Sequence, residues 1–167
     1  MPQNPSLRSF WWPCAVVAAG ALLLVALLFI PEFDGPHFRQ HANEAVAVSR
    51  LRVLTTLEKK FTAAHVDKGF ACQLPLLRPA ESEQNSVDYY DPLRFLTTGT
   101  SAGYIFALGN CRTDAKGVVV HYEATAVPVE PGKTGFHAFC TDDSGLLWHD
   151  ENGSATNCLA LRRGLQE

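Results

Sequence analysis

The chain has 167 residues, 14 of them lysine or arginine and 17 aspartate or glutamate, for a formal charge of -3 with histidine neutral. Arg8 is the only charged residue before Glu32, so the remainder of the chain is more acidic still, which argues against a nucleic-acid partner that would call for a basic patch. Setting aside the first 36 residues leaves about 130, enough for one domain with a single core and too few for a second.

From the N-terminus, the first clear element is the uncharged run from Phe10 to Ile30, FWWPCAVVAAGALLLVALLFI. As a helix rising ~1.5 Å per residue it is long enough for the ~30 Å hydrocarbon core of a membrane. Arg8 precedes it and Glu32 and Asp34 come after it, so the positive-inside rule favours a cytoplasmic N-terminus over residues 1–9. Trp11 and Trp12 stand where an aromatic belt anchors one end, and Pro13 is tolerable in a first helical turn. A cleaved signal peptide is the competing reading. The sequence Pro31-Glu32-Phe33-Asp34 offers no small-x-small cleavage site, and Cys14 precedes the apolar run where a lipidated cysteine should follow it. The expectation is a retained single-pass anchor over 10–30 in the cytoplasmic membrane, with residues 37–167 outside the cytoplasm.

Residues 31–36 (PEFDGP) form a proline- and glycine-rich breaker. From about His37 to Asp67, Ala47, Leu51, Leu54, Leu57, Phe61 and Ala64 recur at spacings of three and four, the stripe of one amphipathic helix, and Gly69 reads as its stop. Ala71 to Thr100 reads as a long loop, with one short helix at Pro92 to Leu96. Beyond it the period changes. Tyr104 to Leu108, Val118 to Val127, Phe136 to Thr141 and Leu146 to His149 are short, rich in aromatic and β-branched residues, and bounded by glycine-containing turns. Glu130-Pro131-Gly132-Lys133 suits a type II turn, and Asp142-Asp143-Ser144-Gly145 a tight hairpin. The expected fold is α+β: after the transmembrane helix, one long amphipathic helix packed on a small antiparallel sheet of about four strands.

Four cysteines, Cys72, Cys111, Cys140 and Cys158, fall in the part expected outside the cytoplasm, where disulfides persist. Three connectivities are possible, and Cys72 with Cys111 and Cys140 with Cys158 is the favoured one. No two of them have the C-x-x-C spacing of a zinc site.

The stretches NEAVAVSRLRVLTTLEKKF, GF, DPLRFLTTGTSAGYIFAL and ATAVPVEPGKTGFHAFCTDDSG, spanning about Asn43 to Leu147, resemble the bacterial type IV pilin-like and general-secretion pseudopilin proteins. The most specific parts are Glu44-Ala45 to Leu54, Thr98-Gly99 with Gly103-Tyr104, and Pro131-Gly132 to Gly145. The resemblance implies an N-terminal helix on an antiparallel sheet and a non-catalytic role in a secretion, pilus or envelope assembly. The prepilin processing motif is missing. The apolar run holds no acidic residue, Gly20 is followed by Ala21 where a phenylalanine is required, and Pro31 and Pro36 interrupt the helix that pilins keep continuous. A pilin-like domain on a fixed anchor, rather than a filament subunit, is therefore the expectation.

Three patterns invite chemistry. Gly99-Thr100-Ser101-Ala102-Gly103 matches the G-x-S-x-G nucleophile elbow, but the elbow needs a strand before and a helix after, and here the order is reversed. Among six histidines, His37 and His41 stand four apart on one helical face, and His121 and His137 are candidates for neighbours on adjacent strands. Two ligands without a third are poor evidence for metal. Asp142, Asp143 and Asp150, with Glu151 and Asn152, are weak calcium candidates, since calcium takes several hard oxygens and the resemblance implies a calcium site in a C-terminal loop. Aspartates in hairpin turns are the commoner explanation. The leading expectation is thus a membrane-bound structural or interaction protein with envelope or secretion-system partners, no catalytic residues, no cofactor and no small-molecule ligand. The alternative is an extracytoplasmic module that binds a small ligand or calcium on the same scaffold.

Overall fold

The computed structural model describes residues 36–79 and 91–164. The chain divides into two compact units, Met1–Gly35 and Pro36–Glu167. The expected cytoplasmic terminus, the anchor over 10–30 and the breaker up to Gly35 all lie outside the described residues.

Helix α1 runs from Pro36 to Ala64. Proline suits its first position, because the N–H it lacks has no intrahelical partner there. The buried stripe is Gln40, Glu44, Ala47, Leu51, Leu54 and Glu58, at spacings of three and four, with Thr55 buried beside Leu54. Its middle is apolar and both ends are polar. Leu57 and Phe61 pack at the edge of the core, and Ala64 is exposed. Gly69, at φ 75°, is needed at a chain crossing: Phe70 N donates to the Val119 carbonyl, Val119 N donates to that of Lys68, and a Cβ on Gly69 would lie 2.0 Å from the Val119 oxygen.

After a 3-10 turn (Leu74–Leu77) and the short helix α2 (Phe95–Thr98) the chain enters a sheet. Its strands are β1 (Thr100–Ser101), β2 (Tyr104–Thr113), β3 (Val119–Pro128), β4 (Ala138–Asp142), β5 (Leu147–Asp150) and β6 (Arg163–Gly164). Their spatial order is their sequence order, and every pair is antiparallel. The turns carry this meander. Ala102 and Gly103 both have positive φ in the two-residue turn between β1 and β2, as a type I′ hairpin requires. Asp114 Oδ1 accepts from Lys116 N and Val118 N between β2 and β3. Lys133 N donates to the Glu130 carbonyl at 2.9 Å, and Gly145 N to that of Asp142 at 2.9 Å. Asp150 Oδ2 accepts from Asn152 N and Ser154 N, and Ser154 Oγ in turn caps helix α3 (Ala155–Leu161).

The expected fold is corrected in its sheet. The sheet has six strands and dominates the architecture, unlike a pilin's single long helix on a small sheet. The two-residue strands β1 and β6 add to the four legible segments, being too short to show alternation. Among the described residues, no helix is long and apolar enough to cross a membrane; α1 has the length but carries charged side chains along it.

Alternation along the strands gives the sheet two different faces. On the inner face, Tyr104, Phe106, Tyr122, Ala124, Ala126 and Phe139 pack with Ala47, Leu51 and Leu54 of α1. On the outer face, α3 covers part of β3 to β5, and a small cluster forms from Cys140, Trp148 and Cys158 with Leu159. Disulfides join Cys72 to Cys111 and Cys140 to Cys158, with Cα atoms 6.1 and 6.0 Å apart. The second ties α3 to β4.

Candidate functional site

The two ends of α1's buried stripe are each bound to a loop. At the N-terminal end, Gln40 Nε2 donates to the Gly132 carbonyl and Asn43 Nδ2 to that of Thr134. Glu44 Oε1 accepts from Phe136 N at 2.8 Å, His137 N at 3.1 Å and His137 Nδ1 at 3.0 Å, and Oε2 lies 3.5 Å from His41 Nδ1. Burial pushes the Glu44 carboxyl up, but these backbone N–H donors and the His137 ring outweigh it and hold it below the usual carboxylate value. At the other end Glu58, fully buried, accepts from Ala71 N at 2.9 Å through Oε2, while Oε1 has no partner. Burial dominates there and pushes its pKa up to about 7. Tyr122, beside it on β3, is pushed up to about 12 by burial, with Glu58 adding to the effect.

Glu44 also borders the candidate site, a cleft of about 510 Å³ lined by Glu44, His137, Phe139, His149, Glu151 and Arg163. The volume falls within the ~300–1,000 Å³ range of small-molecule sites. Strand register builds it. Phe139 pairs with His149 and His149 with Arg163, so three adjacent strands present these side chains on the same face. The His137 and His149 rings meet edge to face at 5.8 Å, and His149 Nδ1 is buried with no partner. Gly135 keeps the neighbouring loop close, since a Cβ there would lie 2.1 Å from the Tyr104 hydroxyl, which donates to the His137 carbonyl.

Most side chains singled out from sequence are placed elsewhere. Ser101 lies on β1 opposite Tyr104, in a hairpin with a strand rather than a helix after it. The His37 ring stacks on Phe136 at 6.2 Å, whereas His41 faces Glu44. His121 and His137 are not neighbours: β3 pairs with β4 through Glu123–Asp142 to Ala126–Phe139, which sets the two histidines at opposite ends of the ladder. His121 instead lies between Asp143, through Nδ1, and Glu123, 3.8 Å from Nε2. The three acidic calcium candidates all have protein partners. Asp142 accepts from Ser144 N and pairs with Arg162 Nη1 at 3.1 Å, Asp143 pairs with His121, and Asp150 holds the turn into α3. Among the described residues no three His, Cys, Asp or Glu side chains converge as metal ligands.

The cleft escaped the sequence reading because Glu44 and His137 are 93 residues apart and His149 meets His137 only through strand pairing. The one local signal was alternation: Phe139 with His137, and His149 with Glu151, each fall two apart. No protein-family model matches the chain, and comparison with curated proteins and with solved structures finds no match to it.

Proposed function

We propose that the chain is a non-catalytic, membrane-anchored interaction component of a bacterial envelope, secretion or pilus assembly, presenting residues 37–167 outside the cytoplasm. The observation that carries this reading is the outer face of β2 and the adjoining end of β3. There Ile105 and Val127 are cross-strand partners, Ala107 and Thr125 come next, and Leu159 of α3 borders the strip on the Ala107–Thr125 side. Ile105 is 44% and Val129 48% exposed. Apolar side chains grouped on one open sheet face are the usual mark of a protein contact. Two disulfides suit an oxidising compartment.

The partner is another protein of the same assembly, offering an apolar strip to this face. A photoreactive side chain at Val127, in the full-length chain in its native membrane, should give a discrete adduct that Ile105→Glu abolishes. An adduct pattern identical to that from a probe at Lys116, in the β2–β3 hairpin, rejects the assigned face. The anchor has its own test: a full-length intact mass from membranes, with four cysteines oxidised, supports it, and a chain beginning beyond Ile30 overturns it.

A further inference from the structure

The cleft beside α1 belongs to the opposite face of the sheet and calls for a different occupant. Its hydrogen-bonding groups can be assigned from their partners. His137 Nδ1 lies 3.0 Å from Glu44 Oε1, so its proton is at Nδ1 and is donated to the carboxylate. His149 Nδ1 is buried with no acceptor in reach, and an N–H is harder to leave unsatisfied there than a lone pair, which places the proton of the neutral ring on Nε2 as a donor. Arg163 is exposed, has no carboxylate partner among the described residues, and stands opposite His149 in the β5–β6 pair. Glu44 is already satisfied by three N–H donors. Of the charged groups left, Arg163 supplies up to five donors and Glu151 one carboxylate. Phe139, between His137 and His149 in ring contact and strand pairing, supplies an apolar aromatic surface.

We propose that this cleft binds a small organic carboxylate, its anionic group held by Arg163 and the His149 imidazole and its apolar body against Phe139. A guanidinium matches a carboxylate through two parallel hydrogen bonds, and a neighbouring imidazole N–H adds a third donor. Inorganic anions share the charge but lack the body that Phe139 would cover.

Benzoate and inorganic phosphate, titrated separately into the full-length protein in detergent and followed by the imidazole proton resonances, test the assignment. Expected are saturable shifts of His137 and His149 with benzoate, at least tenfold weaker binding of phosphate, and at least tenfold loss of benzoate affinity in Arg163→Gln. Arg52→Gln, on the exposed side of α1, should leave benzoate binding unchanged. Absence of saturable benzoate binding overturns the proposal, as does equal binding by Arg163→Gln, and equal affinity for phosphate overturns the carboxylate class. Both Arg163 and Arg52 are exposed, so neither variant threatens the fold.

Discussion

Glu44 and Glu58 lie on one buried stripe of one helix, both hidden from water, and they titrate in opposite directions. Three N–H donors meet Glu44, and one meets Glu58. Burial alone therefore does not decide ionisation. Removing a carboxylate from water favours its neutral form by an amount that donors can repay, and the number of donors decides the sign. The N-terminal end of α1 is thus held by a charge and the C-terminal end by a carboxyl near neutrality.

The largest effect should come from the bridge nearest Glu58. Replacing Cys72 and Cys111 together by alanine opens a loop of sequence separation 39, and a chain-entropy estimate puts the loss at about 4 kcal/mol. Because Ala71 adjoins Cys72 and its N–H holds the Glu58 value down, the same variant should let the Glu58 carboxyl rise further above its ordinary range, read by carboxyl carbon resonances. An unmoved Glu58 in a folded variant would show that the bridge does not position its donor. Next, Leu54→Ala, midway along the stripe, should lose about 3 kcal/mol in urea unfolding. Glu44→Ala leaves the N–H groups of Phe136 and His137 without their acceptor and should cost about 2 kcal/mol at pH 7. A negligible change there would mean that the loop is held by Gln40 and Asn43 alone.

The pH dependence sharpens the contrast most directly. With its folded value raised, Glu58 contributes stability that is fully present below its ordinary value of 4.5 and is lost as pH rises through about 7. Glu44, with its folded value lowered, contributes stability present above 4.5 and lost as pH falls through its folded value. Glu58→Gln should therefore flatten the fall in stability between pH 4.5 and about 7 and leave the acid limb below it in place. A variant that alters the acid limb instead would reverse the assignment. The smallest effect, about 1 kcal/mol, is expected for Arg162→Met, which removes the pair with Asp142 and the guanidinium 4.8 Å from the Trp148 ring.

The sequence made the strands legible where glycine, proline and aspartate set the turns, and α1 legible in its apolar middle. It concealed the ends of α1's stripe, because Gln40, Glu44 and Glu58 look solvated until the loops that bind them are in place. Helix α3 was missed for another reason: Ala155–Leu161 is too short for an apolar period, and its marks are only the Ser154 cap and the Cys158 bridge. The cleft depends on the β4–β5–β6 register, which residue spacing along one strand does not reveal. His37 and His41 had helical spacing in their favour, yet the ring pair that forms is His137 with His149.

The meander also bears on the order in which the domain assembles. Each strand is followed in sequence by its own partner, so successive hairpins can close over short loops as the chain lengthens. Helix α1 is made first, yet the N–H groups that Glu44 needs are 92 and 93 residues away. Until they arrive its stripe of Ala47, Leu51 and Leu54 is uncovered, and this interval is when a chaperone has most to protect.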